Sequence, residues 1–127
     1  MSYDEAEARE AREWITQMIG DEAPEFPAGF KNGVVLCLLA NALKPGCIKK
    51  INHQKLPFMQ MENINSFCSA LRNVFGIQDR DSFVTIDLFE EKDLQAVLKT
   101  ILCLKRQQGY GMNEGKPKGD VFDHIRE

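Results

Sequence analysis

The chain has 127 residues, of which 43% are hydrophobic and 28% charged, and its formal net charge is −3. This length suits a single domain with its own core, and the abundance of Leu, Ile, Val and Phe excludes an intrinsically disordered chain. The longest apolar run, residues 34–40, is far shorter than the roughly 18 residues of a membrane span, so we expect no membrane-spanning helix.

The first predicted element is an amphipathic helix that follows a capping box at Ser2 to Glu5. Gly20 is expected to end it. From 21 to 32 the sequence is rich in Pro, Gly and Phe, which indicates an ordered loop. The apolar positions that mark one face of the helix follow a spacing of three and four residues: Ala8, Ala11, Trp14, Ile15, Met18 and Ile19.

The second helix is expected to begin near Asn32, which is a good N-cap residue, and to end at Lys44-Pro45-Gly46. Residues 34–40 leave it no polar face, and a helix that is apolar all round belongs in the middle of a core. We therefore expect it to be the central helix. Residues 47–60 are then interpreted as a longer connection, interrupted by Pro57.

Two more helices complete the domain. The third is expected to end at Gly76, a short element follows at 85–90, and Lys105 and Arg106 of the last helix are expected to complement its dipole. No segment alternates with the period of a strand, so the predicted fold class is all-α. The buried stripes of the two helices are Ile64, Phe67, Cys68, Leu71, Val74 and Phe75, and then Leu94, Val97, Leu98, Ile101, Leu102 and Leu104.

We expect the domain to span residues 1–108 and a flexible C-terminal tail to span 109–127, where apolar residues become scarce. The four cysteines form no C-x-x-C pair, and the N-terminus is acidic, unlike a secretory signal. Both features indicate a cytoplasmic protein with reduced thiols, without disulfides, metal or cofactor. The cysteines are Cys37, Cys47, Cys68 and Cys103.

Several ordered fragments between residues 11 and 107 carry a family resemblance. They are Trp14-Ile15, FKNGVVLC at 30–37, NALKPG at 41–46, IKKIN at 48–52, FMQMENI at 58–64 and DLFE at 87–90. In these the chain resembles the calponin homology domain, particularly the single-domain calponin and transgelin type. The resemblance implies four main helices with shorter connecting helices. It also implies a module that binds actin filaments or acts as an adaptor in cytoskeletal signalling.

Charge is segregated along the chain. Residues 1–25 hold eight acids and two bases, whereas residues 26–61 hold five lysines and no acid. The positive field around residues 26–61 can attract an acidic partner even though the whole protein is acidic. We therefore expect a basic surface at residues 44–62 that binds F-actin weakly. The predicted binding residues are Lys44, Lys49, Lys50, His53, Lys55, Phe58, Met59 and Glu62.

The acidic first helix should repel an acidic filament, and this leaves a second hypothesis open, namely a scaffold domain that binds a cytoskeletal signalling protein and not actin. In either case we expect a monomer in the cytoplasm and cytoskeleton, without nucleic acid or membrane as a partner. The two histidines lie in no recognisable catalytic frame, so we predict a non-enzymatic binding module.

The sequence contains two weaker signals. Asp79, Asp81, Asp87 and Glu90 have calcium-loop spacing, but Phe83 and Val84 stand where an oxygen ligand and a Gly are required, so a capped turn is favoured. In the basic segment, Lys44 and Lys49 could lower the pKa of Cys47 and make it oxidisable. The favoured interpretation is an inert thiol.

Overall fold

A computed structural model of the protein describes residues 2–110, and every regular element in this range is helical. This confirms the predicted all-α class. Four long helices and one short helix are present: α1 Glu5–Ile19, α2 Val34–Leu43, α3 Pro57–Asn73, α4 Thr85–Phe89 and α5 Leu94–Gln107. Two 3₁₀ turns, Ala28–Phe30 and Asp79–Asp81, lie in the connections. The predicted tail lies outside the described residues, except for Gly109 and Tyr110.

Three helix starts differ from the sequence predictions. α1 is capped by Asp4, whose carboxylate accepts the N–H groups of Ala6 and Glu7, so the capping box at Ser2 is wrong. Asn32 does accept the N–H of Val34, but Gly33 separates it from α2. Pro57 begins α3 and does not interrupt a connection, because a first-turn residue needs no N–H for the helix.

The core surrounds α2, which packs against both α1 and α3. Trp14, Leu36, Phe67 and Ile101 are among its fully buried side chains. Leu38 is nevertheless 42% exposed, so α2 is central without being buried on all sides. None of the described helices is both long and apolar enough to cross a membrane.

Helix α5 packs against α1 and closes the fold. The side chain of Lys105, near the end of α5, is only 2% exposed, and its ammonium nitrogen lies 2.9 Å from the carboxylate of Glu10. Lys105 does lie in the last turn of α5, as the sequence predicts, but its charge is also paired inside the core with that of Glu10. Beyond α5, Tyr110 returns towards α1, where its ring centroid lies 6.1 Å from that of Trp14.

Candidate partner-binding surface

The predicted binding residues lie on the connection between α2 and α3, residues 44–56, here called the basic loop, and on the first turns of α3. Lys44, Lys49, Lys50 and Lys55 are all exposed, and within residues 2–110 none of the four forms an ion pair. Residues 26–61 contain a fifth lysine, Lys31, which is instead paired with Glu91 at 3.1 Å. Four uncompensated cations therefore remain on the loop.

Asn41 of α2 holds the first part of the basic loop. Its amide nitrogen donates to the carbonyl of Ile48 at 3.0 Å, and its amide oxygen accepts the N–H of Ile48 at 2.8 Å. A side chain that satisfies both main-chain groups of one residue fixes the position of that residue. Ile48 is buried, which strengthens this anchor.

Asn63 of α3 holds the later part of the loop and is fully buried. Its amide oxygen accepts the N–H of Asn52, and its amide nitrogen donates to the carbonyls of Asn52 and Asn32, all at 2.8 Å. One side chain thus joins the loop to α3 and to the residues before α2. Gly33 allows this approach, because a Cβ there would lie 2.6 Å from the Cβ of Asn63.

The side chain of Asn52 extends the same network to the predicted site. Its amide nitrogen donates to the carbonyl of Met59 at 3.0 Å and to the carboxylate of Glu62 at 2.7 Å. Met59 and Glu62 are thereby brought against the basic loop. The exposed Glu62 has a supporting role as well as a position on the predicted surface.

The other predicted residues point into solvent. His53 and Phe58 are exposed, with Phe58 at 65%, and Leu56 adds a second exposed apolar side chain just before α3. Sequence reasoning missed the three asparagines that hold the loop, Asn41, Asn52 and Asn63. One signal was available for Asn63, which falls on the apolar stripe of α3 four residues before the buried Phe67.

A groove of about 430 Å³ runs between the basic loop and α3. One wall is residues 47–50 of the loop. The other is formed by α3 and its C-cap residue, and its lining residues are Glu62, Asn65, Ser66, Ser69, Ala70, Asn73 and Val74. This wall is mostly hydroxyl and amide groups, which can donate and accept hydrogen bonds. The groove therefore offers hydrogen-bond partners to a polar ligand.

The thiol of Cys47 borders this groove. Burial raises its pKa, although a backbone hydrogen bond and the nearby Lys44 act in the opposite direction. The thiol lies 3.5 Å from the carbonyl of Ala40, in position to donate to it. The proposed lysine activation of Cys47 is therefore outweighed, and the inert interpretation is favoured.

The segment considered for calcium has helix-capping roles. Asp87 accepts the N–H of Val84 at 3.0 Å and so caps α4, while Asp79 and Asp81 form one of the 3₁₀ turns. Across residues 2–110, no group of three or more His, Cys, Asp or Glu side chains is arranged to hold a metal ion.

Comparisons with known proteins indicate the family of the chain. Residues 5–108 match the model of the calponin homology (CH) domain. The chain is 43% identical over 107 residues to myophilin of Echinococcus granulosus, an alignment covering 81% of this chain and 56% of myophilin. It is 37% identical over 127 residues to calponin-2 of Bos taurus, covering 98% of this chain and 41% of calponin-2. The chain thus spans about half the length of these relatives.

The fold has a solved counterpart. The crystal structure of the calponin-homology domain of Rng2 from Schizosaccharomyces pombe superimposes with a TM-score of 0.73 at 26% identity, covering 98% of this chain and 86% of that one. The family model and the two relatives confirm the resemblance drawn from the sequence fragments, including its calponin type.

Proposed function

The chain belongs to the calponin homology family, and from that premise we propose that it is a non-enzymatic, actin-cytoskeleton-associated module of the cytoplasm that binds actin filaments. The contact surface is the basic loop together with the first turns of α3. Affinity is modest, because one small patch carries the interaction and interfaces below about 1,200 Å² are commonly transient. The module acts as a monomer.

The observation that carries this proposal is the set of four exposed lysines on the basic loop, none of which forms an ion pair within residues 2–110. Actin filaments present an acidic surface, so the lysines accelerate encounter and orient the module. Because Asn41 and Asn63 hold the loop, it does not have to be ordered on binding, and this entropy cost is avoided.

Apolar contact comes from the start of α3. Phe58 and Leu56 are exposed beside the lysines, and Met59 is half-buried next to them. Exposed aromatic side chains surrounded by polar groups are typical anchors of protein interfaces. Phe58 is therefore the apolar anchor of the proposed contact, and the lysines and His53 form its rim.

Co-sedimentation with actin filaments over a salt series tests the proposal. We expect the chain to pellet with filaments at low salt and to be released as salt rises, because exposed charges are screened. The double change Lys49→Glu, Lys50→Glu should weaken binding about tenfold or more. The control Lys92→Glu, Lys99→Glu alters the net charge equally at exposed positions outside the loop, and it should retain most of the binding. The absence of pelleting at every salt concentration would overturn filament binding.

A second candidate is an adaptor that binds a cytoskeletal signalling protein and not actin. The exposed acids of α1 and its cap, Asp4, Glu5 and Glu13, favour it because they oppose an acidic filament. Affinity capture from lysate in which filaments have been dissolved distinguishes the two. An adaptor should recover a defined partner there, and the Lys49→Glu, Lys50→Glu variant should lose it, whereas a filament-binding module should not recover one.

A further inference from the structure

The backbone of the basic loop is open between its two anchors. The side-chain amide of Asn41 bonds to the N–H and C=O groups of Ile48, and that of Asn63 bonds to the N–H and C=O groups of Asn52. Between them, the N–H and C=O groups of residues 49–51 form no hydrogen bond within residues 2–110. The segment is neither helix nor turn. Main-chain groups require partners, so this short stretch is bonded to solvent or to an incoming chain.

The wall of the groove that faces the loop also carries unused polar groups. The hydroxyls of Ser66 and Ser69 and the amide of Asn73 form no hydrogen bond within residues 2–110. The volume of about 430 Å³ lies within the range of about 300–1,000 Å³ that ligand pockets occupy. Lys49 and Lys50 of the open main-chain segment, the polar wall of α3 and the carboxylate of Glu62 therefore border the same groove.

We propose that this groove holds an extended acidic peptide segment of the partner. The main chain of that segment pairs with residues 49–51, as a strand added to an exposed edge does. Alternate side chains then point to opposite sides, so its carboxylates reach Lys49 and Lys50 while the intervening polar side chains contact Ser66 and Ser69. This rests on the proposed function and specifies which part of the partner is recognised.

Extended backbone is favoured over a helical ligand because a helix satisfies its own main-chain groups and would leave residues 49–51 unpaired. The groove also lacks the continuous apolar floor that an amphipathic helix requires, since its lining from α3 is mainly serine and asparagine. The groove lining holds Lys49 and Lys50 against one carboxylate, Glu62, which already accepts a hydrogen bond from Asn52, so charge complementarity favours acidic residues in the ligand.

A fluorescein-labelled decapeptide of alternating Asp and Thr is the direct probe, with fluorescence anisotropy as the measurement. The control is the same peptide N-methylated at every residue, which keeps the charge and removes the main-chain donors. We expect the control to bind about tenfold more weakly, because edge pairing supplies a large share of the affinity. Amide exchange within residues 49–51 should slow when the unmodified peptide binds. Equal binding of both peptides without slowed exchange would overturn the proposal.

A steric variant separates this inference from filament binding itself. Ser69→Trp fills the groove without changing charge, and Asn73→Trp does so from an exposed position that folding tolerates more readily. The matched control is Gln17→Trp on the exposed face of α1. We expect both groove variants to lose peptide binding and filament pelleting, and the control to keep both.

The outcomes distinguish the two proposals. Groove variants that pellet normally, while Lys49→Glu, Lys50→Glu does not, would refute the groove and leave filament binding intact. Peptide binding with protected amides, but no pelleting by the unaltered chain, would refute filament binding and support the groove as the site of another acidic partner.

Discussion

At the scale of single residues, the candidate surface depends most on Asn63, a polar side chain within an apolar stripe. Its amide makes three hydrogen bonds, which join the basic loop, α3 and the residues before α2. A buried amide is tolerated only when its donors and acceptors are paired, and here all the partners are main-chain groups. The lysines recognise a partner, whereas Asn63 determines where they are.

Asn63→Ala should lower the free energy of unfolding by about 2–3 kcal/mol, because the substitution leaves buried main-chain groups of Asn52 without a partner. Guanidinium denaturation measures the change. The matched control is Asn73→Ala on the exposed end of α3, which should change stability by less than about 0.5 kcal/mol. A similar loss in both variants would contradict the role assigned to Asn63.

At this scale, the sequence predicted which side chains of the basic loop are exposed, but it did not predict which side chains hold the loop in place. The exposed lysines and Phe58 follow from an acid-free segment with few core positions. Asn41 bonds to Ile48, and Asn63 bonds to Asn52. Neither pair has the spacing of a helix or a turn, so no local sequence pattern connects its members. A single sequence carries no signal for a side chain that bonds to a remote backbone, so these contacts required the fold.

At the scale of elements, the helices were largely predictable because each buries one periodic face. Their starts were less so. Asp4 replaced Ser2 as the cap of α1, and Pro57 began α3, since both choices depend on where the chain turns into the core. The pairing of Glu10 with Lys105 between α1 and α5 was also missed, because both residues look like ordinary surface charges in the sequence.

Lys105→Met should destabilise the fold by about 3–5 kcal/mol, since it removes the buried ammonium group that is paired with the carboxylate of Glu10. Thermal or chemical unfolding measures the loss. The double change Glu10→Leu, Lys105→Met removes both charges and should cost clearly less than the single change. Lys31→Met breaks the exposed pair with Glu91 and serves as the control, with an expected change below about 1 kcal/mol. A double variant as unstable as the single one would contradict this account.

At the scale of the whole molecule, charge is divided between the two long helices that pack against α2. Helix α1 is acidic, whereas α3 follows the basic loop. The two helices do not pack closely against each other, because each packs against α2 instead. Exposed charges further apart than the Debye length, about 8 Å at physiological salt, are largely screened from one another. We therefore expect α1 to oppose filament binding only weakly when the basic loop makes the contact.

Glu5→Gln, Glu13→Gln should accordingly change filament affinity by less than about twofold at 0.15 M salt and by more at low salt, where screening is weaker. Co-sedimentation at the two salt concentrations measures both effects. A several-fold gain at 0.15 M salt would indicate that α1 itself faces the filament, contrary to the proposed orientation.

The two asparagine anchors have one more consequence. Asn41 and Asn63 bond to main-chain atoms of the basic loop, which every amino acid other than proline provides. The path of the loop is therefore independent of which side chains occupy positions 49 and 50. Related proteins could exchange these two residues during evolution, and so acquire different binding preferences, while inheriting the same scaffold unchanged.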